Sequence, residues 1–176
     1  MPIHLYQSKK VKRYIGESVY MDEPWKEDQI DPLTIWYVDV FFINRERYLV
    51  FTNPLTKLTF FIFRYAKKSH PDLITTFRTN LQTTLHAAQI NPQEYLKQCD
   101  LLIPYRSSNR SASAHLSRIK WEYQWMIEDN HHEVSAPEDE AFYNDLIARD
   151  ITTYGGKDYD RPTQRFYHEL LLRRWE

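Results

Sequence analysis

Two arginines, three serines and an asparagine crowd into the segment Arg106-Ser-Ser-Asn-Arg-Ser111. It leaves the apolar run Leu101–Tyr105 and enters an amphipathic stretch, so it reads as a strand-to-helix turn. The first N–H groups of a helix have no partners within the helix. Combined with Arg106, Ser108, Asn109, Arg110 and Ser111, such amides form a site for a phosphate or carboxylate. The same composition also makes a plain capped start, with Asn109 or a serine as the cap and both arginines in water.

Asp39 is the second chemical candidate, because it interrupts an apolar run between Val38 and Val40. A buried carboxylate is costly unless paired. Arg45, Arg47 or Arg106 would supply a cation; an open sheet edge, or hydrogen bonds from backbone or tyrosine, would serve instead. Asp39 is the candidate general base, and Cys99 with a distant histidine is a weaker hint. Trp121 and Trp125 lie one helical turn apart, off the expected core stripe. They suit an interface anchor or a platform for stacked bases. Packing beneath the closing helix, with Phe166 and Trp175, would explain them equally.

Other constellations are weaker. Lys9-Lys10-Val11-Lys12-Arg13 is the densest basic run, fit for nucleic acid or for the wet face of a short helix. His131-His132-Glu133 falls in an expected loop, and neither H-E-x-x-H nor paired C-x-x-C spacing occurs, so no metal site and no cofactor are expected. Gly155-Gly156-Lys157 lacks the rest of a phosphate-binding P-loop.

The whole chain sets the limits. Its 176 residues suit one domain with a real core. A formal net charge of -1 argues against a dedicated duplex-DNA binder, though local basic patches are compatible with it. Cys99 is the only cysteine, which rules out an internal disulfide. No apolar run is long enough to cross a bilayer, and Met1-Pro2-Ile3-His4 lacks a signal-peptide core. A cytoplasmic protein without membrane attachment is the expectation.

The elements that must position these residues follow from the pattern. Ile3–Tyr6 reads as a strand and Lys9–Ile15 as a turn or two of helix. Thr34–Ile43, Tyr48–Thr52 and Leu58–Phe63 form a three-strand antiparallel meander rich in β-branched and aromatic residues. Asn44 would open a type I turn. Both faces of the first hairpin are apolar, so helices are expected on both sides. Helical periodicity marks three later stretches. One follows Ser69-His70-Pro71-Asp72, with Ser69 as cap; another restarts at Asn91-Pro92; the longest spans Ser111 to Asp129, with core stripe Ala112, Leu116, Ile119, Tyr123 and Met126. Pro137–Asp150 and Asp160–Trp175 complete the chain, the last with Phe166, Tyr167, Leu170 and Leu171 inward. Leu101–Tyr105 is placed at a sheet edge by Pro104. The fold class is α+β: one domain over residues 1–176, comprising a core (1–130) and a helical extension (137–176) packed on it.

Trp36-Tyr37, Phe42-Ile43-Asn44-Arg45, Leu49, Phe51 and Asn53, followed by Asn109-Arg110-Ser111, resemble an uncharacterised bacterial family defined only as a domain of unknown function. Lys9-Lys10 after a first strand is similar too. The resemblance spans about Ile3 to Ile127, which leaves the tail from Pro137 as an extension private to this chain. Family members commonly carry a glycine shortly after the N-R-S element, where this sequence has Ala114. The family implies no reaction and no catalytic residue.

These features favour a non-catalytic binding or protein-interaction module, with a protein partner or a second copy of the chain as occupant. The alternative is an enzyme or binder acting on a phosphate-bearing ligand, nucleic acid included, through Arg106–Arg110.

Overall fold

The structure is a computed structural model that describes residues 1–15, 29–70, 72–107, 109–130, 137–154 and 158–175. Ser108, His131-His132-Glu133 and Gly155-Gly156-Lys157 lie outside the described residues.

Five strands form one mixed sheet in the order β4-β3-β2-β1-β5. The strands are β1 (Ile3–Gln7), β2 (Ile35–Ile43), β3 (Glu46–Thr52), β4 (Thr59–Ile62) and β5 (Leu102–Arg106). The meander β2-β3-β4 is antiparallel, as its composition requires, whereas β1 pairs in parallel with both β2 and β5. The expected α+β class holds, with a sheet that is mixed rather than wholly antiparallel. β5 takes the outer edge, where Pro104 needs no ladder donor.

The β2–β3 connection differs from expectation. Ile43 pairs with Glu46, leaving a two-residue loop in which Asn44 (φ 48°) and Arg45 (φ 69°) are both left-handed. That is a type I′ turn, whose twist matches the flanking strands, with Asn44 at its first central position.

Helices cover both faces. On one side Trp36, Val38 and Val40 of β2 meet Val11 of α1 (Lys9–Ile15), Phe77, Leu81 and Leu85 of α2 (Leu73–Ala87), and Tyr95 of α3 (Gln93–Gln98). Trp36 is the centre: its ring meets Phe77 edge-on at 5.1 Å and Phe60 at 5.6 Å. Each such pair adds about 0.5–1.5 kcal/mol to simple burial. Its indole N–H donates to Tyr95 Oη (2.9 Å), which donates in turn to Leu33 O (3.0 Å). Asp72, not Ser69, caps α2, accepting from Ile74 N and Thr75 N.

On the other face Tyr37, Phe41 and Ile43 meet Ala112, Leu116, Ile119, Tyr123 and Ile127 of α4 (Arg110–Asp129). Ile127 takes the place expected for Met126, which packs only at the margin. α5 (Pro137–Arg149) lies along β4 and closes that edge. The Asn144 carboxamide accepts from Phe61 N (2.6 Å) and donates to Phe61 O (3.0 Å), while Glu140 accepts from Phe63 N (2.5 Å). A side chain thus replaces the missing neighbouring strand.

A short antiparallel pair, β6 (Thr152–Tyr154) and β7 (Asp158–Asp160), leads into α6 (Pro162–Arg173). Phe166 and Leu170 of α6 are buried, but Tyr167 and Leu171 are exposed, against expectation. Thr163 is buried on the same face of α6.

Asn53 explains one of the resemblance residues. Fully buried, it donates to Pro32 O (3.2 Å), Leu33 O (3.1 Å) and Ile35 O (2.8 Å), and accepts from Thr56 N and Oγ1 (3.0 and 3.1 Å). It ties the entrance of β2 to the β3–β4 turn and serves the fold.

Candidate functional site

The parallel strands β1 and β5 are neighbours whose chains leave to opposite faces of the sheet. β1 runs into α1, which buries Val11 in the Trp36 core; β5 runs into α4, which packs in the Tyr37 core. Such a switch point opens a crevice at the carboxyl ends of the strands, the usual ligand position in sheets of this kind.

Register brings three sequence candidates to that crevice. Gln7 pairs with Arg106 on one side and with Val38 on the other. Ser107 N donates to Gln7 O (2.9 Å) and Ser8 N to Val38 O (3.2 Å). Lys9-Lys10, Asp39 and Arg106 therefore lie at one end of the sheet although they are far apart in sequence.

Asp39 is buried and its partner is Lys120 of α4, not Arg45, Arg47 or Arg106. Its Oδ1 accepts from Ser8 Oγ (2.6 Å) and Val40 N (2.8 Å); Oδ2 faces the Lys120 ammonium. Both carboxylate oxygens are engaged. Arg47 instead donates to Tyr65 O (3.4 Å) and lies over the Tyr14 ring, 4.2 Å from its centroid.

Asn109 is the N-cap of α4, its Oδ1 accepting from Ala112 N (3.1 Å). Arg106, Arg110 and Ser111 are exposed. Ser107 Oγ, just after β5, is buried without a hydrogen-bond partner. Alongside, Lys9, Lys10, Arg13, Tyr14 and Phe42 line a hollow of about 390 Å³. Neither α1 nor the first turn of α4 carries an acid.

Trp121 and Trp125 are 76% and 66% exposed. The closing helix does not cover them: Phe166 packs against Tyr95 and Trp36 in the opposite core. Sequence reasoning missed two things on this helix. One is Lys120 as the partner of Asp39. The other is a continuous exposed stripe of Arg110, Ala114, Arg118, Trp121 and Trp125, legible in its 4-4-3-4 spacing.

Burial pushes the Cys99 thiol up to about 12, which suits an inert core cysteine. Burial lowers His4, whose Nδ1 lies 3.2 Å from Tyr105 Oη. Among the described residues no group of three or more His, Cys, Asp or Glu could hold a metal ion, and no helix is long and apolar enough to cross a membrane.

A family model matches residues 4–165. The chain belongs to the DUF6933 family, a domain of unknown function. The match runs well past Pro137, so α5 and the β6–β7 pair belong to the family's span and are not a private tail. No curated protein matches the chain.

Proposed function

We propose that this chain is a non-catalytic binding module. Its docking surface is the outer flank of α4 together with the crevice beside Arg110. One observation carries the reading: two tryptophans, the residue type most enriched at binding hot spots, stand largely in water on a helix whose other side is fully packed. A fold gains nothing from exposing them. A bacterial, cytoplasmic setting suits a chain whose single cysteine is buried.

The test is a thermal-shift screen of oligonucleotides, nucleotides, sugar phosphates and charged peptides against wild type and a Trp121→Ala/Trp125→Ala variant. At least one class should raise the wild-type Tm and leave the variant unmoved. A screen without any shift, or shifts of equal size in both proteins, defeats the reading.

A second reading, an enzyme acting on a phosphate-bearing ligand with Asp39 as base, draws on the nearness of Asp39 and Arg106 at one end of the sheet. The engagement of both Asp39 oxygens weighs against it. It requires product formation that Asp39→Asn abolishes without loss of ligand binding.

A further inference from the structure

We propose that the cavity where the ends of α2 and α5 meet the start of α6 binds a small phosphate monoester. The hollow measures about 450 Å³, room for a phosphate and the organic body attached to it. Arg149, Arg161, Thr163, Gln164 and Tyr167 line it, with Ile90 and its neighbours from the turn after α2. It shares no residue with the docking surface on α4.

The start of α6 is unfinished as a helix end. Arg161 takes the N-cap position, but its side chain makes no capping hydrogen bond, and Pro162 follows it. The backbone ladder begins with Arg165 N, which donates to Arg161 O (3.0 Å). Thr163 N and Gln164 N find no acceptor among the described residues. The first turn holds no acid either. The partial positive charge at the end of a 12-residue helix is therefore unanswered where Thr163 and Gln164 line the cavity.

The Thr163 side chain points to a ligand on separate grounds. It is 3% exposed and lines the cavity, yet its hydroxyl has no hydrogen-bond partner among the described residues. A buried hydroxyl without a partner is costly, and valine would fill the same space without that penalty. An anion in the cavity satisfies it. Arg161 adds a full charge, because its guanidinium has no ion pair among the described residues. Arg149 is held at the cavity edge, its Nη2 donating to Ala87 O (2.7 Å) and its Nε facing Asp145 Oδ1 (2.6 Å). Asp145 is thereby engaged and Asp160 accepts from Arg161 N (2.7 Å); no acid lines the cavity among the described residues.

The free amides, the hydroxyl and the Arg161 guanidinium offer more donors than a carboxylate has oxygens. The terminal oxygens of a phosphate monoester can take them all, in charge-assisted hydrogen bonds. Ile90 and the Tyr167 ring form the less polar wall for the organic part.

The experiment is calorimetric titration of the full chain at about pH 8, where phosphate monoesters are dianions. The probes are AMP, phenyl phosphate and inorganic phosphate, with adenosine and phenol as unphosphorylated counterparts. At least one ester should bind and inorganic phosphate should compete with it, while adenosine and phenol give no heat. Thr163→Val should weaken binding about tenfold or more, with the ligand-free Tm unchanged or higher, because it removes an unpartnered hydroxyl and keeps the shape. Arg161→Ala should weaken binding by about the same factor at unchanged Tm. Failure of both esters, full binding by either variant, or adenosine or phenol matching its ester each overturns the proposal. A lower ligand-free Tm for Thr163→Val overturns it too, since the hydroxyl would then have its partner within the protein.

Discussion

Lys120 of α4 pairs with Asp39 of β2, and this contact joins the long helix to the middle of the sheet. Side-chain exposures of 18% and 12% place it at the margin of the core, where an uncompensated charge is costly. Lys120→Met should destabilise by about 2–4 kcal/mol, because Asp39 then stays buried with only Ser8 and Val40 N as donors. Adding Asp39→Asn should restore part of the loss. Urea denaturation of the four proteins of this cycle gives the coupling, expected at about 1–3 kcal/mol.

Asn53→Ala should cost about 3 kcal/mol or more, since it strips several buried backbone groups of their partner at once. Asn53→Asp should be nearly as damaging, because it replaces the donor amide that three carbonyls share. Chemical denaturation midpoints at constant m-value report both.

The type I′ turn places a non-glycine residue at each left-handed position. Arg45→Gly should therefore stabilise by about 0.5–1 kcal/mol, as relief of the left-handed penalty exceeds the added freedom of the unfolded chain. The Tm should rise by a few degrees. An unchanged or lower Tm contradicts this account of the hairpin.

Burial, with Lys57 and Arg118 nearby, pushes the His115 imidazole down to about 4, and its Nε2 is buried without a partner. An unfolded histidine titrates near ~6.5. The neutral ring therefore adds stability in full above that value. As pH falls from about 6.5 toward 4 the unfolded state takes up the proton first, and up to roughly 3 kcal/mol is lost. His115→Gln should flatten this window, visible as a shrinking difference between variant and wild-type urea midpoints from pH 7 to pH 4.5.

The sequence disclosed what depends on neighbours along the chain. The meander strands, the five-turn amphipathic run of α4 and the cap at Asn109 all follow from local periodicity or a local hydrogen bond. The parallel insertion of β1 between β2 and β5 was not legible, because alternation marks a strand without marking its partner. For the same reason Lys120 escaped notice: its link to Asp39 spans 81 positions, and nothing near it signals an acid opposite. Trp121 and Trp125 were visible as a pair, but only the placement of α6 on the other core decides that they remain uncovered.

The seal that Asn144 and Glu140 make along β4 bears on how the chain can be divided. A fragment ending near residue 130 would keep every strand of the main sheet yet present Phe61 and Phe63 with bare amides. It would be prone to recruiting strands from other copies, and so to aggregate. Evolution inherits the same constraint: a DUF6933 relative that loses α5 must find another way to stop its sheet from growing.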